Sequence, residues 1–496
     1  MQVSFAQIAE FTGAETLVAA PDATREIGTF CWDSREIEPG AFFIALAGEH
    51  HDGHDFLEAA LETGAAGLLV SQMPSLELRA SAHAHGAALL HVADTQEALF
   101  ALATAARKTL GALVIGVTGS SGKTGTKELV AAVLRQYDPE LTASSGNHNN
   151  EVGLPATILG ANPASKLLIL EMGMYDRGEI AALCNVAAPR IGVVTNIGLA
   201  HLEVVGTREN IARAKAELIE ALPDSSGLAV LNGDDPWTPF IREVSHTAER
   251  SVAVLQYGMQ AHNDIRALNL TFREEDGRPI FDLKTLEADT VSVELALQGE
   301  HSVMNALAAA AVGVHFGIPA PRIASALASV QPPAMRQCNI LLKNGIRLID
   351  DTYNANPDSM RAALEVLAHM PRRGAHVAVL GDMLELGEDE VAFHLELGRV
   401  VAATAVDELI TIGALARFIA EGAREAGLDE RCIRSFDTIE EGNNALVVTL
   451  TQTLEAEGAQ HDGHPIVLVK ASRSKGLERV VRHLTEVFGE QTGSPC

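Results

Sequence analysis

The sequence predicts an α/β protein of three domains built mainly on parallel sheets, and three observations predict it. At 496 residues the chain is too long to fold around one hydrophobic core. Short aliphatic runs that end in a polar residue recur along it and alternate with helix-like segments, the pattern of parallel strands joined by crossover helices. One such run, ALVIGV (112–117), leads through TGSSGKTGTKE (118–128) into an aliphatic stretch from Leu129. A strand, a glycine-rich turn carrying a lysine, and a helix therefore follow one another.

Residues 1–98 are expected to form a small α/β N-terminal domain, with strands and turns around CWDSREIEPGAFFIALAGEHHDGHDF (31–56). Residues 99–330 are expected to form a central domain on a parallel sheet of the P-loop ATPase type, with strands in LLILE (167–171), IGVVTN (191–196) and LAVLN (228–232). The stretch 263–298 has alternating, strand-like patches such as VSVELAL (291–297), and reads as an antiparallel insertion or edge. Pro332 and Pro333 mark the boundary to a Rossmann-like C-terminal domain (331–496), with strands in RLIDD (347–351), VAVLGD (377–382) and IVLVK (466–470). In such sheets ligands bind beyond the carboxyl ends of the strands, where these polar residues gather.

A net charge of -28 argues against nonspecific attraction to nucleic acid or anionic membrane. It leaves room for an anionic substrate, because a local cluster of cations and helix N-termini can outweigh the global field. The five cysteines are scattered and without a C-x-x-C pair, so neither a disulfide framework nor a zinc site is expected, and a reducing compartment fits. MQVSFAQIAEFTG at the start has no basic segment followed by an apolar one, so no signal peptide is expected. The apolar run near 306–318 includes His315 and is too short to span a bilayer. The expectation is a cytoplasmic monomer that binds neither nucleic acid nor membrane.

The turn itself carries chemistry. Its spacing departs from G-x-x-x-x-G-K-[ST], which needs glycine where Val117 stands. Gly119, Ser120, Ser121 and Gly122 can still wrap backbone N–H groups around phosphates at the start of the helix. Lys123 would reach the β- and γ-phosphates and the Thr124 hydroxyl would bind Mg²⁺. The bland alternative is a glycine turn with a surface lysine. An N-K-x-D guanine motif is absent, which favours ATP over GTP. Glu171 ends an apolar strand and is placed to bind the same magnesium, or is simply an exposed strand-end acid. Lys215 falls within the apolar stripe of Ile211, Leu218, Ile219 and Leu222, so it either snorkels out or has a function. His201 lies just past a strand end and suits metal or substrate contact as well as a structural role. Two polar-rich stretches, DDTYNANPDS (350–359) and SSGNHNNE (144–151), read as ligand cradles or as turn chemistry.

Together these stretches resemble the Mur ligases, ATP-dependent amide-forming enzymes of peptidoglycan assembly, over nearly the whole chain. The motifs are TGSSGKT (118–124), NIGLAHLE (196–203) with RAKAE (213–217), GEHSVMNALAAAA (299–311), DDTYNANPDSM (350–360), LGDMLELG (380–387) and LVKASRSKGLE (468–478). GNHNNEVGLP (146–155), DDTYNANPDSM and LGDMLELG are most similar to the branch that adds D-alanyl-D-alanine, and the D-N-P-R motif of the diaminopimelate-adding branch is absent. The resemblance implies a ligase that joins D-alanyl-D-alanine to UDP-N-acetylmuramoyl-tripeptide through an acyl phosphate. It implies that Lys123 and Thr124 hold ATP and Mg²⁺, that Glu171 is a further ligand of that ion, and that His201 and a carbamylated Lys215 serve a second Mg²⁺. Asn305 would lie near adenine, Arg336 at phosphate and Asp351 at ribose, with Tyr353, Asn354 and Asn356 in the same loop. Ser34, Arg35, Asn149 and Asn150 would face the UDP substrate, and Ser472 and Arg473 the incoming dipeptide.

The chain departs from the family pattern at Ser302 (usually asparagine), at Gly125 (usually threonine), at Ala471 (usually glycine) and across 174–177, which puts substrate-side detail in question. Two other functions stay open on the sequence. One is a related ligase adding a different amine, such as a diamino acid, or glutamate to a folate. The other is a P-loop ATP-binding regulator without ligase activity.

Overall fold

The computed structural model describes residues 3–48, 51–287, 289–404, 406–457 and 463–491. Three main sheets follow one another along the chain. The first has five strands, in the order Glu15–Val18, Ala88–His91, Gly67–Val70, Phe42–Ile44, Phe30–Cys31, parallel except at the Glu15–Val18 edge.

The central sheet has nine strands. From one edge, Thr142–Ala143, Leu167–Glu171, Leu113–Thr118, Ile191–Val194, Leu228–Asn232, Ala253–Gly258 and Ile265–Phe272 are all parallel. Pro279–Lys284 and Thr290–Glu294 then continue antiparallel, so 263–298 is the antiparallel edge that its alternation predicts. In Pro279–Lys284 burial alternates residue by residue, as one covered and one wet face require.

Alternation through Leu113–Thr118 sends side chains to two cores. Val114 joins Leu168, Leu170 and the helices Thr95–Leu110 and Arg208–Glu220. Ile115 and Val117 join Ile169 and the helices Lys123–Leu134 and Glu300–His315. Gly116 and Gly192 let helix Arg208–Glu220 lie close on the sheet, because a β-carbon at either would come within about 3 Å of Leu218 or Ile219. The expected boundary at residue 98 falls inside helix Thr95–Leu110. That helix packs in a core shared by the first and central sheets, so the chain changes sheets without a linker there.

The third sheet runs Cys338–Leu341, Arg347–Asp350, Ile466–Lys470, His376–Gly381, Glu408–Ile412, Ile433–Phe436, antiparallel only between the first two. Its carboxyl ends face those of the central sheet across a shared cavity. Cys31, Cys184 and Cys432 are free thiols and Cys338 is disulfide-bonded, so among the described residues there is a bridge that the scattered spacing does not announce, but no disulfide framework. Sequence spacing does not report which sulfurs a fold brings together. Among the described residues no helix is long and apolar enough to cross a membrane.

Candidate active site

Two glycines shape the turn after Leu113–Thr118. Gly119 has φ 150° and Gly122 φ 77°; a β-carbon at Gly119 would lie 1.8 Å from Thr195 Oγ1, and one at Gly122 2.5 Å from Asn305 Oδ1. Gly122 begins helix Lys123–Leu134 with no side-chain cap, so no cap side chain competes for its first N–H groups. Val117 is a buried strand residue paired with Glu171 and Val193, which places the start of the turn two residues later than the longer motif would.

The segment 195–198 grips the turn from the neighbouring strand end. Thr195 Oγ1 donates to the Ser121 carbonyl at 2.6 Å, Ser121 N–H donates to Asn196 Oδ1 at 3.1 Å, and Gly198 N–H donates to Ser120 Oγ at 2.8 Å. Lys123 Nζ donates to the Gly119 carbonyl at 2.8 Å. Burial lowers its pKa, opposed by the Glu171 carboxylate and reinforced by Arg336.

Glu171 is buried, at 1% exposure, and its carboxylate is divided between two partners. Thr124 Oγ1 donates to Oε2 at 2.8 Å and Asn149 Nδ2 donates to Oε1 at 2.9 Å. This rules out the exposed strand-end acid. The Glu171 N–H donates to Ser144 Oγ at 3.1 Å, and the Ser144 carbonyl accepts from the buried Lys127 Nζ at 2.5 Å. One polar chain thus ties the helix after the turn to the 144–150 loop and the acidic strand end.

A cavity of ≈ 560 Å³ opens over these groups. On the central side it brings together Ser120, Ser121, Gly122, Lys123, Thr124, Asn149, Glu171, His201 and Asn305. The C-terminal side supplies Asp351, Tyr353, Asn354 and Asn356, and Arg336 comes from the connection between the two. The Arg336 guanidinium stacks 3.8 Å over the Tyr353 ring, and its neighbours Met335 (φ 62°) and Gln337 (φ 55°) both have left-handed backbones. Asp351 Oδ2 receives the Lys470 ammonium at 2.6 Å, and Lys470 also donates to the Asn354 carbonyl at 2.9 Å. Asn356 caps helix Pro357–His369 through Ser359 while lining the cavity.

Lys215 is buried at 1% exposure, so it does not snorkel, and its Nζ has no hydrogen-bond partner. It lies behind the cavity wall, outside the lining formed by His201. Burial drives its pKa well below that of an ordinary lysine; Lys123 acts in the same direction, and Glu217 and Glu179 oppose. His201 begins the short helix Leu202–Val205 with a left-handed backbone, φ 61°. Its Nδ1 lies 2.8 Å from Glu385 Oε2, and the Tyr175 ring stands edge-on at 5.1 Å.

Several expected residues are placed elsewhere. Gly119 forms the turn behind the cavity wall, against Thr195. Asn150 Oδ1 accepts the Gly153 N–H at 2.9 Å, a turn role that takes it out of the cavity. Ser472 is buried, accepting from Leu384 N–H at 2.9 Å, and the exposed Arg473 lies 3.7 Å from Glu478; both are outside the cavity walls. Arg35 lines a second cavity of ≈ 800 Å³ between the first and central sheets, its guanidinium held by Asp33, while Ser34 lies outside both walls. Sequence reasoning missed Lys127, Lys470, Glu385 and Asp358. Lys470, Glu385 and Asp358 all stand within the family motifs, but nothing local told which partner each would meet.

Among the described residues no group of three or more His, Cys, Asp or Glu side chains converges on a metal position. The donors at the expected positions are a threonine hydroxyl, one carboxylate, one imidazole and a partnerless buried amine. The hydroxyl and the carboxylate suit magnesium, which takes one or two protein oxygens and completes its shell with water and phosphate oxygens, whereas the Lys215 amine fits a cation only once it is converted to an anion.

Three family models match the chain: "Mur ligase family, catalytic domain" over residues 27–107, "Mur ligase middle domain" over 117–313 and "Mur ligase, glutamate ligase domain" over 336–473. The UDP-N-acetylmuramoyl-tripeptide--D-alanyl-D-alanine ligase of Mycobacterium tuberculosis is 39% identical, with 97% of each chain covered. A crystal structure of MurF from Acinetobacter baumannii superposes with a TM-score of 0.85 at 30% identity, covering 98% of this chain and 99% of that one. The MurF ligase of Thermotoga maritima, solved in complex with ADP, gives a TM-score of 0.76 at 28% identity, covering 92% and 97%.

Proposed function

The chain belongs to the Mur ligase family, and from that premise we propose that it is the ATP-dependent, ADP-forming ligase that joins D-alanyl-D-alanine to UDP-N-acetylmuramoyl-tripeptide. The product is the UDP-muramoyl-pentapeptide of peptidoglycan synthesis, so the enzyme acts in cell-wall biogenesis and through it in cell shape and division. A substrate set of ATP and a UDP-linked precursor supports a cytoplasmic enzyme. The observation that carries this reading is one cavity joining the open helix N-terminus at Lys123 and Thr124 to Arg336 of the connection and to Asp351 and Tyr353 of the facing unit. Residues 1–98, 99–330 and 331–496 then serve as the UDP-substrate, ATP and ligase units.

In this reading the N–H groups of 122–124, at the uncapped helix start, hold the phosphates, and Lys123 turns from the Gly119 carbonyl to the β- and γ-phosphates. Asn305 and Asp351 hold adenosine, and Arg336 braced on Tyr353 contacts phosphate. Arg35 and Asn149 face the UDP substrate, and Asn354 and Asn356 shape the nucleotide wall. Two magnesium ions, one at Thr124 and Glu171 and one at His201 and Lys215, supply charge neutralisation when bound. An oxygen of the tripeptide's terminal carboxylate attacks the γ-phosphorus, the bond to ADP breaks, and an acyl phosphate forms. The dipeptide amine attacks its carbonyl carbon, phosphate leaves, and the amine loses a proton. Walls contributed by two units keep water from the acyl phosphate.

The partnerless Lys215 amine suits carbamylation: its nitrogen bonds CO₂, a proton goes to solvent, and the resulting anion can serve a cation. Purified protein should release phosphate from ATP only with both UDP-muramoyl-tripeptide and D-alanyl-D-alanine. Turnover with diaminopimelate, lysine or glutamate instead would move it to another branch, and no turnover with any amine would leave an ATP-binding regulator.

A further inference from the structure

The turn 198–203 of the central unit is gripped by two carboxylates from the C-terminal unit. Asp358, in the first turn of helix Pro357–His369, accepts the Leu199 N–H at 3.3 Å. Glu385 Oε2 lies 2.8 Å from His201 Nδ1, and the Glu203 N–H donates to the Glu385 carbonyl at 3.3 Å. A β-carbon at Gly387 would sit 3.3 Å from the Glu203 backbone, so the two segments touch along their length.

Both ends of the central contact are conformationally unusual. His201 has φ 61° and Glu385 φ 63°, left-handed backbones that residues with side chains keep only where the surroundings impose them. His201 Nδ1 is buried and has no acceptor in line, which leaves the Glu385 carboxylate beside it as its polar neighbour. The same imidazole lines the cavity. A histidine that binds a cation through one ring nitrogen usually gives the other N–H to a carboxylate, which fixes its tautomer and its orientation.

We propose that Glu385 is the positioning residue of His201, holding Nδ1 so that Nε2 is presented to a divalent cation, and that the cation site is complete only while the C-terminal unit is docked. This rests on His201 being a cation ligand. Cation binding and docking are then thermodynamically linked, each favouring the other by the same factor. Asp358 secures the same turn independently of the imidazole.

The test uses the full chain with saturating ADP and titrates Mn²⁺, counting the free ion by electron paramagnetic resonance. Glu385→Ala should weaken one class of Mn²⁺ by about 10- to 100-fold and leave the class tied to Thr124 and Glu171 unchanged. Glu385→Gln, which keeps an acceptor oxygen and the backbone contacts, should weaken it less. His201→Ala should lose that class altogether. Small-angle scattering should show Mn²⁺ compacting the parent chain more than Glu385→Ala. If His201→Ala loses a class that both Glu385 variants keep at parental affinity, the positioning role is wrong. If His201→Ala keeps both classes, the cation role of His201 falls, and this inference with it.

Discussion

Asn305 packs its amide against Gly125, close enough that a β-carbon there would lie 3.1 Å from Nδ2. The family's usual threonine at that position would therefore crowd the asparagine. Two effects compete in Gly125→Ala. Replacing a glycine inside helix Lys123–Leu134 should gain up to about 1 kcal/mol in stability, whereas displacing the Asn305 amide should weaken nucleotide binding. The expected outcome is a higher melting temperature with a several-fold higher KM for ATP, and a larger KM effect for Gly125→Thr. An unchanged KM in both variants would remove Asn305 from the nucleotide site.

The Lys470–Asp351 pair is almost closed to solvent, at 3% and 10% side-chain exposure. Removing one partner of such a pair leaves a buried charge unmatched, so Lys470→Ala should destabilise by about 3–5 kcal/mol. The double variant with Asp351→Ala should lose less than the sum of the two single losses. Urea denaturation of the four proteins measures the coupling. Additive losses would mean that Lys470 has a different partner in solution.

Lys127 is fully buried and donates to the Ser144 carbonyl, one step from the Ser144 hydroxyl that receives the Glu171 N–H. Lys127→Met keeps the bulk but orphans that carbonyl, at about 1–3 kcal/mol. Loosening the 144–150 loop should also shift Asn149 against Glu171 and raise the Mg²⁺ concentration needed for half-maximal turnover. A stability loss with an unchanged Mg²⁺ requirement would confine Lys127 to the scaffold.

What was legible in the sequence was local. The strand–turn–helix at 112–134 is set by periodicity and glycine, and Lys215 stood out because a helical stripe assigns it to the core. The antiparallel edge was legible for the same reason, since alternation announces a sheet with one wet face. Long-range pairing was not legible. Lys470 meets Asp351 across 119 residues, and the meeting of Glu385 with His201 depends on how two sheets face each other. Asn150 and Ser472 show the converse. Their residue types fit a ligand cradle, yet a turn and a buried backbone contact already use their side chains.

Lys215 gives the prediction with a sign. Burial holds its folded pKa well below the ordinary value of 10.5, with Lys123 adding to the effect. Between those two values the unfolded chain binds a proton that the folded chain does not, so stability falls as pH drops through that window and is fully present above 10.5. Lys215→Met removes the penalty. In CO₂-depleted buffer the variant should be the more stable protein at neutral pH, and its advantage should shrink as pH rises toward 10.5, as read by thermal melts across pH. Bicarbonate should narrow the gap at neutral pH by carbamylating the parent chain alone. The same residue should be essential for turnover, with Lys215→Ala nearly inactive and partly restored by small carboxylates such as acetate or formate. Parental turnover in Lys215→Ala would refute the carbamate while leaving the stability sign intact, because that sign depends only on an amine buried without a partner.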